Sequence, residues 1–595
     1  MKRSMSVLAA LAMLFALFPA VASARECGRG FTPIYDIQGS GSASPLLFDF
    51  GHPQKRVTTV GVVTVDLQRS SEHRGFFLQD LEGDGDPSTS DGIFVFHQNT
   101  WGFDVSVGDV IRVVAEIDEF FGLTRLENVR TIQVCGSASP TPTAITTRQF
   151  NSNPEQYEGM YVQYIGDHYV SDTFNLHRFG EIWIAPEGVI ETPTNEFPQG
   201  SGAMDAFADD NMDKVVMLED GSRFSNPSPV PFLSGDGTLR LGDVTTNPTG
   251  AIYYDFGNYK LVNSTDPVFT PTNVRGSAPN VGGDLTVASF NVLNYWTTLG
   301  GRGAGDADQL AAQQSKLVDA IIGLGADVVG LQEIENDHPA DVPIITLIDA
   351  LNAAAGSDVW SRVEGFDQNI YPIVNEIIYR NDRVTPVGDA MTLADAAFDD
   401  FRDPDEEPDD QLGRRPVAQA FDHNGEVFTV VNLHLKSKSC TGASGADLDQ
   451  GDGASCYNAR RVQQANAVLA WIPTLQAAAG DDDVLVVGDL NAYLMEDPIT
   501  TFEGGGLSNL LSTYDPDPYS FNFLAFFAAP HIGRGTLDHA FGTSSIAGQV
   551  TDVAIWHINA DEPRFLDWFD TDRLAPGPYR SSDHDPVLIG LDLGS

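Results

Sequence analysis

Basic residues are scarce: 34 Lys and Arg face 83 Asp and Glu, a formal net charge of −49. That shortage excludes a protein that binds polyanions through a broad basic stripe, because such binding runs on released counterions at many Lys and Arg contacts. A site touching a few phosphates through metal ions and local arginines stays compatible with it. The acidic excess reads as solubility in saline surroundings, where salt also screens repulsion from a polyanion. Long apolar runs are equally rare. Only residues 7–21 form one, after Lys2 and Arg3 and before Ala22-Ser23-Ala24. It is too short and wrongly flanked for a membrane span, so residues 1–24 read as a signal peptide. An exported chain without a transmembrane segment is expected, free, periplasmic or on the cell surface, with no obligate protein partner in evidence. Cysteine is limited to Cys27, Cys135, Cys440 and Cys456. Three pairings are possible; Cys27–Cys135 and Cys440–Cys456 are expected as disulfides in an oxidising compartment. Zinc is the competing reading, but no CxxC spacing supports it.

A length of 595 residues predicts two to four domains. Residues 25–138 read as an all-β module with strand-like runs at 60–65, 75–79, 92–96, 110–117 and 123–126, separated by turn residues. Phe76, Phe94 and Phe96 suit either a base-stacking platform or, by strand alternation, a barrel core. Asp80, Asp84, Asp86 and Asp91 crowd one hairpin; they suit a solvated turn or a structural Ca²⁺, though no EF-hand spacing is present. A Ser/Pro/Thr linker follows at 137–143. Residues 139–272 then read as a second β-rich domain without recognisable catalytic residues, and 273–283 as a linker.

From 284 onward strands alternate with helical periodicity. Leu310, Leu317, Ile321 and Leu324 predict a helix begun near Asp306; Val462, Val468, Leu469 and Ile472 predict another over about 459–476. At or just past the ends of short apolar runs stand Asn291, Leu331-Gln332-Glu333, Asn432-Leu433-His434, Gly488-Asp489-Leu490-Asn491, Leu537-Asp538-His539 and Ser581-Ser582-Asp583-His584. Six such ends converging would form one acidic, imidazole-containing pocket suited to metal-assisted phosphodiester cleavage.

This ordered set resembles the endonuclease/exonuclease/phosphatase superfamily, to which pancreatic deoxyribonuclease belongs. Asp449-Gln450-Gly451-Asp452-Gly453 and Trp556-His557-Ile558-Asn559-Ala560-Asp561-Glu562 are similar to its secreted bacterial extracellular-endonuclease branch. The resemblance covers about 284–595. It implies an α/β four-layer sandwich, two packed sheets flanked by helices. Gly75-Phe76-Phe77-Leu78-Gln79-Asp80 and Val107-Gly108-Asp109 resemble the OB-fold modules that precede such domains.

By the same resemblance Asn291 and Glu333, with Asp583 nearby, match the principal metal site, whose hard oxygens suit Mg²⁺ or Mn²⁺. Asn491 would bind a phosphate oxygen. Asp489 would orient or deprotonate water, or help hold the metal. Asp538 and His584 match the acid–imidazole pair. His434 matches a leaving-group acid whose glutamate partner falls here on Ile373, so either another carboxylate substitutes or His434 only binds phosphate. Arg414, Arg415, Lys436, Lys438, Arg460, Arg461 and Arg580 flank the motifs; of these Arg415, Lys436 and Arg461 are the expected phosphate contacts. Tyr379 reads as strand packing, His539 and His557 as hydrogen-bond groups, and 403–410 as a solvated loop.

The function expected is a secreted, divalent-metal-dependent endonuclease of DNA, RNA also fitting. A phosphodiesterase or phosphatase of phospholipid or inositol phosphate shares the fold, with the apolar stretch 521–529 as its one supporting feature. A non-catalytic matrix-binding protein is the reading from another class; the intact set of Glu333, Asp489, Asp583 and His584 argues against it.

Overall fold

A computed structural model describes residues 27, 30–47, 56–97, 103–263, 265–369, 371–399, 413–523 and 533–593. The signal-peptide stretch, the acidic run 403–410 and most of the apolar stretch 521–529 lie outside the described residues. Among the described residues no helix is long and apolar enough to cross a membrane. Two compact units are present. One comprises 1–164, 220–224 and 249–265; the other comprises 165–219, 225–248 and 266–595.

In the first unit the alternating strands Arg56–Leu67, Gly75–Gln79, Gly92–Phe96, Leu123–Ser137 and Asp109–Phe120 pair in that order, and the last pairs back with the first. The result is a closed barrel. Phe76 packs inside it with Val63, Ile93, Ile111 and Leu126. Phe94 packs with Phe77 and Tyr253. Both rings are buried, which removes them from a stacking platform; Phe96 is half-buried beneath the Arg125 guanidinium. Asp80 accepts from the backbone N–H of Ile34 and Tyr35, and Asp84 and Asp86 accept within their own turn. Cys27–Cys135 bridges the barrel module and Cys440–Cys456 the loop after His434. All four cysteines are thereby committed, which overturns the zinc reading.

In the second unit two mixed six-stranded sheets face each other. Val287, Val328, Ile377, Val430, Leu485 and Ile589 fill the space between them. Period-2 alternation sends Ala288, Phe290 and Val292 to the opposite face, where Leu317 and Ile321 of helix Ala307–Leu324 and Leu347 of Val342–Ala355 cover them. Helix Asn458–Ala479 covers the second sheet in the same way through Val468, Ile472 and Leu475. The layers therefore run helix, sheet, sheet, helix. The first helix starts where its cap is: Asp306 accepts from the N–H of Asp308 and Gln309, and Gly325 ends it at φ +64°. Val462 and Leu469, expected on the buried face of the other helix, sit at its half-exposed margin; Arg461 and Gln464 are buried instead. The unit also holds the strands Val244–Thr246, Asp167–Asp172, Glu181–Ala185 and Val216–Glu219, paired in that order.

Glu376, on strand Ile373–Arg380, is buried and leaves Oε2 without a hydrogen bond, in a small cavity of about 30 Å³ with Glu335, Asp341 and Arg362. Burial, reinforced by Asp341 and opposed by Arg362, pushes its carboxyl up to about 8. The unfolded chain releases that proton near 4.3. Between those values the folded state holds a proton that the unfolded state has lost, so stability falls as pH rises through this window. Glu376→Gln is therefore expected to match the parent in urea unfolding near pH 4. By pH 8 it should exceed the parent by on the order of a few kcal/mol. A difference independent of pH would refute this.

Candidate active site

The site follows from strand register. Strand Glu426–His434 ends on His434, and its parallel neighbour Val484–Asp489 ends on Asp489, directly opposite. Asp489 is in turn opposite Asp538, the first residue of Asp538–Gly542. One rung across three strands thus places His, Asp and Asp side by side. Gly488, at φ +151°, lets this happen: a Cβ there would collide with the carbonyl of Leu433. From the facing sheet, Leu285–Tyr295 supplies Asn291, and the segment before strand Val587–Leu591 supplies His584.

Asp489 is the hub. Its Oδ2 accepts from Asn291 Nδ2 at 3.0 Å, lies 3.1 Å from His434 Nε2 and 3.9 Å from His584 Nε2. Its Oδ1 accepts from the N–H of Asn491 at 2.8 Å. Burial alone would raise this carboxyl, but the two imidazoles and the Asn491 N–H reverse that and hold it well below the usual range. His584 Nδ1 lies 2.8 Å from Asp538 Oδ2, which also accepts from Ser520 Oγ at 2.6 Å. Burial favours a neutral His584 ring; Asp538 and Asp489 overcome it and hold the proton on, well above the ordinary imidazole value. Burial, then the Arg414 cation, push His434 down. One ring is thus held charged and the other neutral. His434, with the buried Ile373 at the position of the family's glutamate, has Asp489 as its carboxylate.

Glu333 is aimed by an irregularity. The pairing of Val328–Glu335 shifts register between Leu331 and Ile334, and that of Leu285–Tyr295 shifts between Asn291 and Tyr295. Leu293, Asn294, Glu333, Asn491 and Arg580 all stand at φ between +47° and +69°. Non-glycine residues there cost about 1–3 kcal/mol each, strain that collects at functional sites. Glu333 Oε2 accepts from the Asn294 N–H at 3.0 Å. Asp583 adjoins this corner through Ser582, whose hydroxyl donates to the Asn291 carbonyl at 2.6 Å and lies 3.5 Å from Asp583 Oδ1. Asn291, Glu333 and Asp583 offer only oxygen ligands, a set that fits Mg²⁺ or Mn²⁺. Asp489, Asp538 and His584 also bring ligand atoms within 4.8 Å of one another. Those atoms already serve the Asp538–His584 and Asn291–Asp489 hydrogen bonds, as Asn291 Oδ1 and Glu333 Oε2 accept from the N–H of Leu293 and Asn294.

The expected phosphate contacts are differently placed. Arg461 is fully buried and donates to the carbonyls of Lys436, Cys456 and Ala454. It cannot meet a phosphate without leaving that nest, so the expected contact is corrected to a structural role. Arg415 is paired with Asp399 and Asp367. Lys436 is buried, with Nζ 4.7 Å from the centre of the Tyr457 ring. Lys438 is bound to Glu496. Arg580 is also buried and donates to the Asn559 carbonyl at 2.7 Å, but it lines a cleft beside Asp583 together with Arg302 and Arg564.

Two positioning residues escaped the sequence reading, although Asn559 lies inside one quoted motif and Asp585 directly follows another. Asp585 Oδ1 accepts from the N–H groups of Ile558, Asn559 and Ala560, and its Oδ2 lies 3.0 Å from His557 Nδ1. Asn559 donates to the His584 carbonyl at 2.6 Å and accepts from the N–H of Ser581 and Ser582. His539, pushed down to about 4 by burial, lies 2.8 Å from the Ala492 carbonyl. Tyr379 packs on Phe421.

Residues 288–584 match the Endonuclease/Exonuclease/phosphatase family. The C-terminal part of this chain is an endonuclease/exonuclease/phosphatase family domain. Residues 153–274 match a domain of unknown function, DUF8508. No curated protein matches the chain. Among solved structures, D. rerio TDP2 complexed with a single-stranded DNA product is 19% identical over 51% of this chain and 97% of its own, with a TM-score of 0.33. A mannosyl-6-phosphatase of Bacteroides thetaiotaomicron is 18% identical over 52% and 99%, TM-score 0.32. The human Nocturnin catalytic domain with bound sulfate is 14% identical over 51% and 93%, TM-score 0.32.

Proposed function

We propose that the chain is an exported, divalent-metal-dependent endonuclease that hydrolyses phosphodiester bonds of DNA, RNA being a second possible substrate. The observation that carries this reading is an imidazole, His584, held between Asp538 and Asp489 beside a cleft bearing three arginines in a chain poor in basic residues.

A phosphodiester needs charge neutralisation, an aligned water and a proton for the departing oxygen. Asn291, Glu333 and Asp583 would hold the metal, which when bound neutralises phosphate charge. Asp489, too acidic to be a strong base, stays ionised and orients the attacking water by hydrogen bonding. As the new P–O bond forms and the old one breaks, His584 at Nε2 supplies the proton that the leaving oxygen takes up, and the water proton passes to solvent. Asp538 fixes the tautomer and ring angle of His584. Asn291 and His434 keep the Asp489 carboxylate from turning, and Asn491 stands ready for a non-bridging phosphate oxygen.

The strand order of the barrel supports an OB-like module. Residues 25–138 and 139–272 would then aid capture or stability, and 284–595 carry the chemistry.

A substrate panel tests the reading. The purified chain is offered DNA, RNA, glycerophosphoinositol and p-nitrophenyl phosphate, with Mg²⁺, Mn²⁺ or excess chelator. DNA should be cut fastest, and chelation should abolish cutting. Faster turnover of the lipid-derived diester or the monoester would overturn the nucleic-acid assignment, and turnover surviving chelation would overturn the metal.

A further inference from the structure

The cleft beside Asp583 is walled by separate stretches of the second unit and encloses about 230 Å³, room for a single base with its sugar. Phe521 lines it, 4.7 Å from the His584 ring, centre to centre. Phe569 is 41% exposed and backed by Trp568 at 3.8 Å. The third ring, Phe174, comes from the loop after strand Asp167–Asp172, far from any catalytic motif in sequence. That loop is fixed: the Phe174 N–H donates to Asp172 Oδ1 at 2.7 Å, and the Leu176 N–H to the Thr173 carbonyl. The Arg564 guanidinium lies 5.6 Å from the centre of the Phe174 ring. Arg302 and Arg564 are both exposed.

Three aromatic rings and two exposed guanidiniums at one cleft contrast with a chain in which acids outnumber bases 83 to 34. Aromatic faces beside arginines are what single-stranded nucleic acid is held by: rings stack on bases and guanidiniums take phosphates. A headgroup phosphate would meet the arginines but has no flat face for the rings to stack on.

We propose that Phe174 and Phe569 form a base-stacking subsite for the nucleotide next to the scissile phosphate of a single-stranded segment, with Arg302 and Arg564 on that nucleotide's phosphates. The subsite rests on the nucleic-acid reading above. It makes the segment 165–248 a substrate-selecting part of the hydrolase.

The test uses the full chain with Mg²⁺ and end-labelled single-stranded 12-mers in which one abasic residue is moved along the sequence. Cleavage next to the missing base is expected to drop about tenfold, chiefly through KM. Phe174→Ala should raise KM on the intact 12-mer by a similar factor and lose the base dependence, while Phe174→Tyr, which keeps the ring, should retain both. Wild-type cleavage indifferent to the abasic position would overturn the subsite and leave the nuclease reading standing, with no variant involved. If the wild type cuts no nucleic acid, that reading fails by itself. The anisotropy of a labelled 12-mer bound in excess chelator then decides the subsite: affinity that drops with Phe174→Ala and returns with Phe174→Tyr supports it, and unchanged affinity overturns it.

Discussion

Replacing His584 with Ala is expected to lower DNA hydrolysis by about 10²–10⁴-fold, the range typical for loss of a positioned acid or base. The side chain bridges two carboxylates of the site, Asp538 at 2.8 Å and Asp489 at 3.9 Å, and among the described residues no second imidazole bridges the same pair. His434 touches Asp489 from another side and is held neutral rather than charged. Asp489→Ala should cost a comparable factor, since it removes the group on which Asn291, His434 and Asn491 converge. Because these residues act as a unit, the double variant should lose scarcely more than either single one. Single-turnover rates with circular-dichroism controls check this. Losses of a few-fold only would place the chemistry elsewhere, and losses that multiply in the double variant would deny the coupling.

Arg240→Ala is expected to destabilise the second unit by about 3–5 kcal/mol, the usual cost of stranding the partners of a buried charge. Arg240 is among the largest fully buried side chains, yet it lies in a loop with no motif. It pairs with Glu562, donates to Asp561 Oδ2 at 3.0 Å and to the His557 carbonyl at 2.9 Å. Arg275 shares Glu562, and Thr238 and Asn273 add hydrogen bonds to the same two acids. The loop so gripped, 557–562, contains the N–H groups that Asp585 accepts and the Asn559 that holds the His584 backbone. Activity should therefore fall along with stability. Urea unfolding followed by hydrogen exchange at residues 558–560 reads both effects. An unchanged midpoint with unchanged exchange would show that the network is incidental.

The catalytic rung was legible because its residues close apolar strands: a strand that ends on His434 beside one that ends on Asp489 leaves the register little choice. The cap at Asp306 was legible for the same local reason. The arginines were not. Adjacency to a motif says nothing of direction, and Arg461 lies on the buried stripe of its helix while Arg415 turns toward Asp399 and Asp367. Arg302 and Phe174 reach the cleft from loops and Arg564 from the single turn Arg564–Leu566, where no periodicity marks which way a side chain points. The stretch 139–272 read as chemically empty, and two of its residues near the site act through hydrogen bonds. Thr194 donates to Glu496 and Asn195 accepts from the Thr536 N–H, and pairings of that kind depend on tertiary proximity alone.

The most direct test of the central claim is digestion of a supercoiled plasmid by the purified chain in Mg²⁺, with the His584→Ala variant alongside. Nicked circles followed by linear molecules, formed by the parent, absent with chelator and reduced at least a hundredfold in the variant, are the predicted result. A circle that stays intact under conditions where the same preparation hydrolyses another phosphoester, or that is nicked equally by the variant, would contradict it.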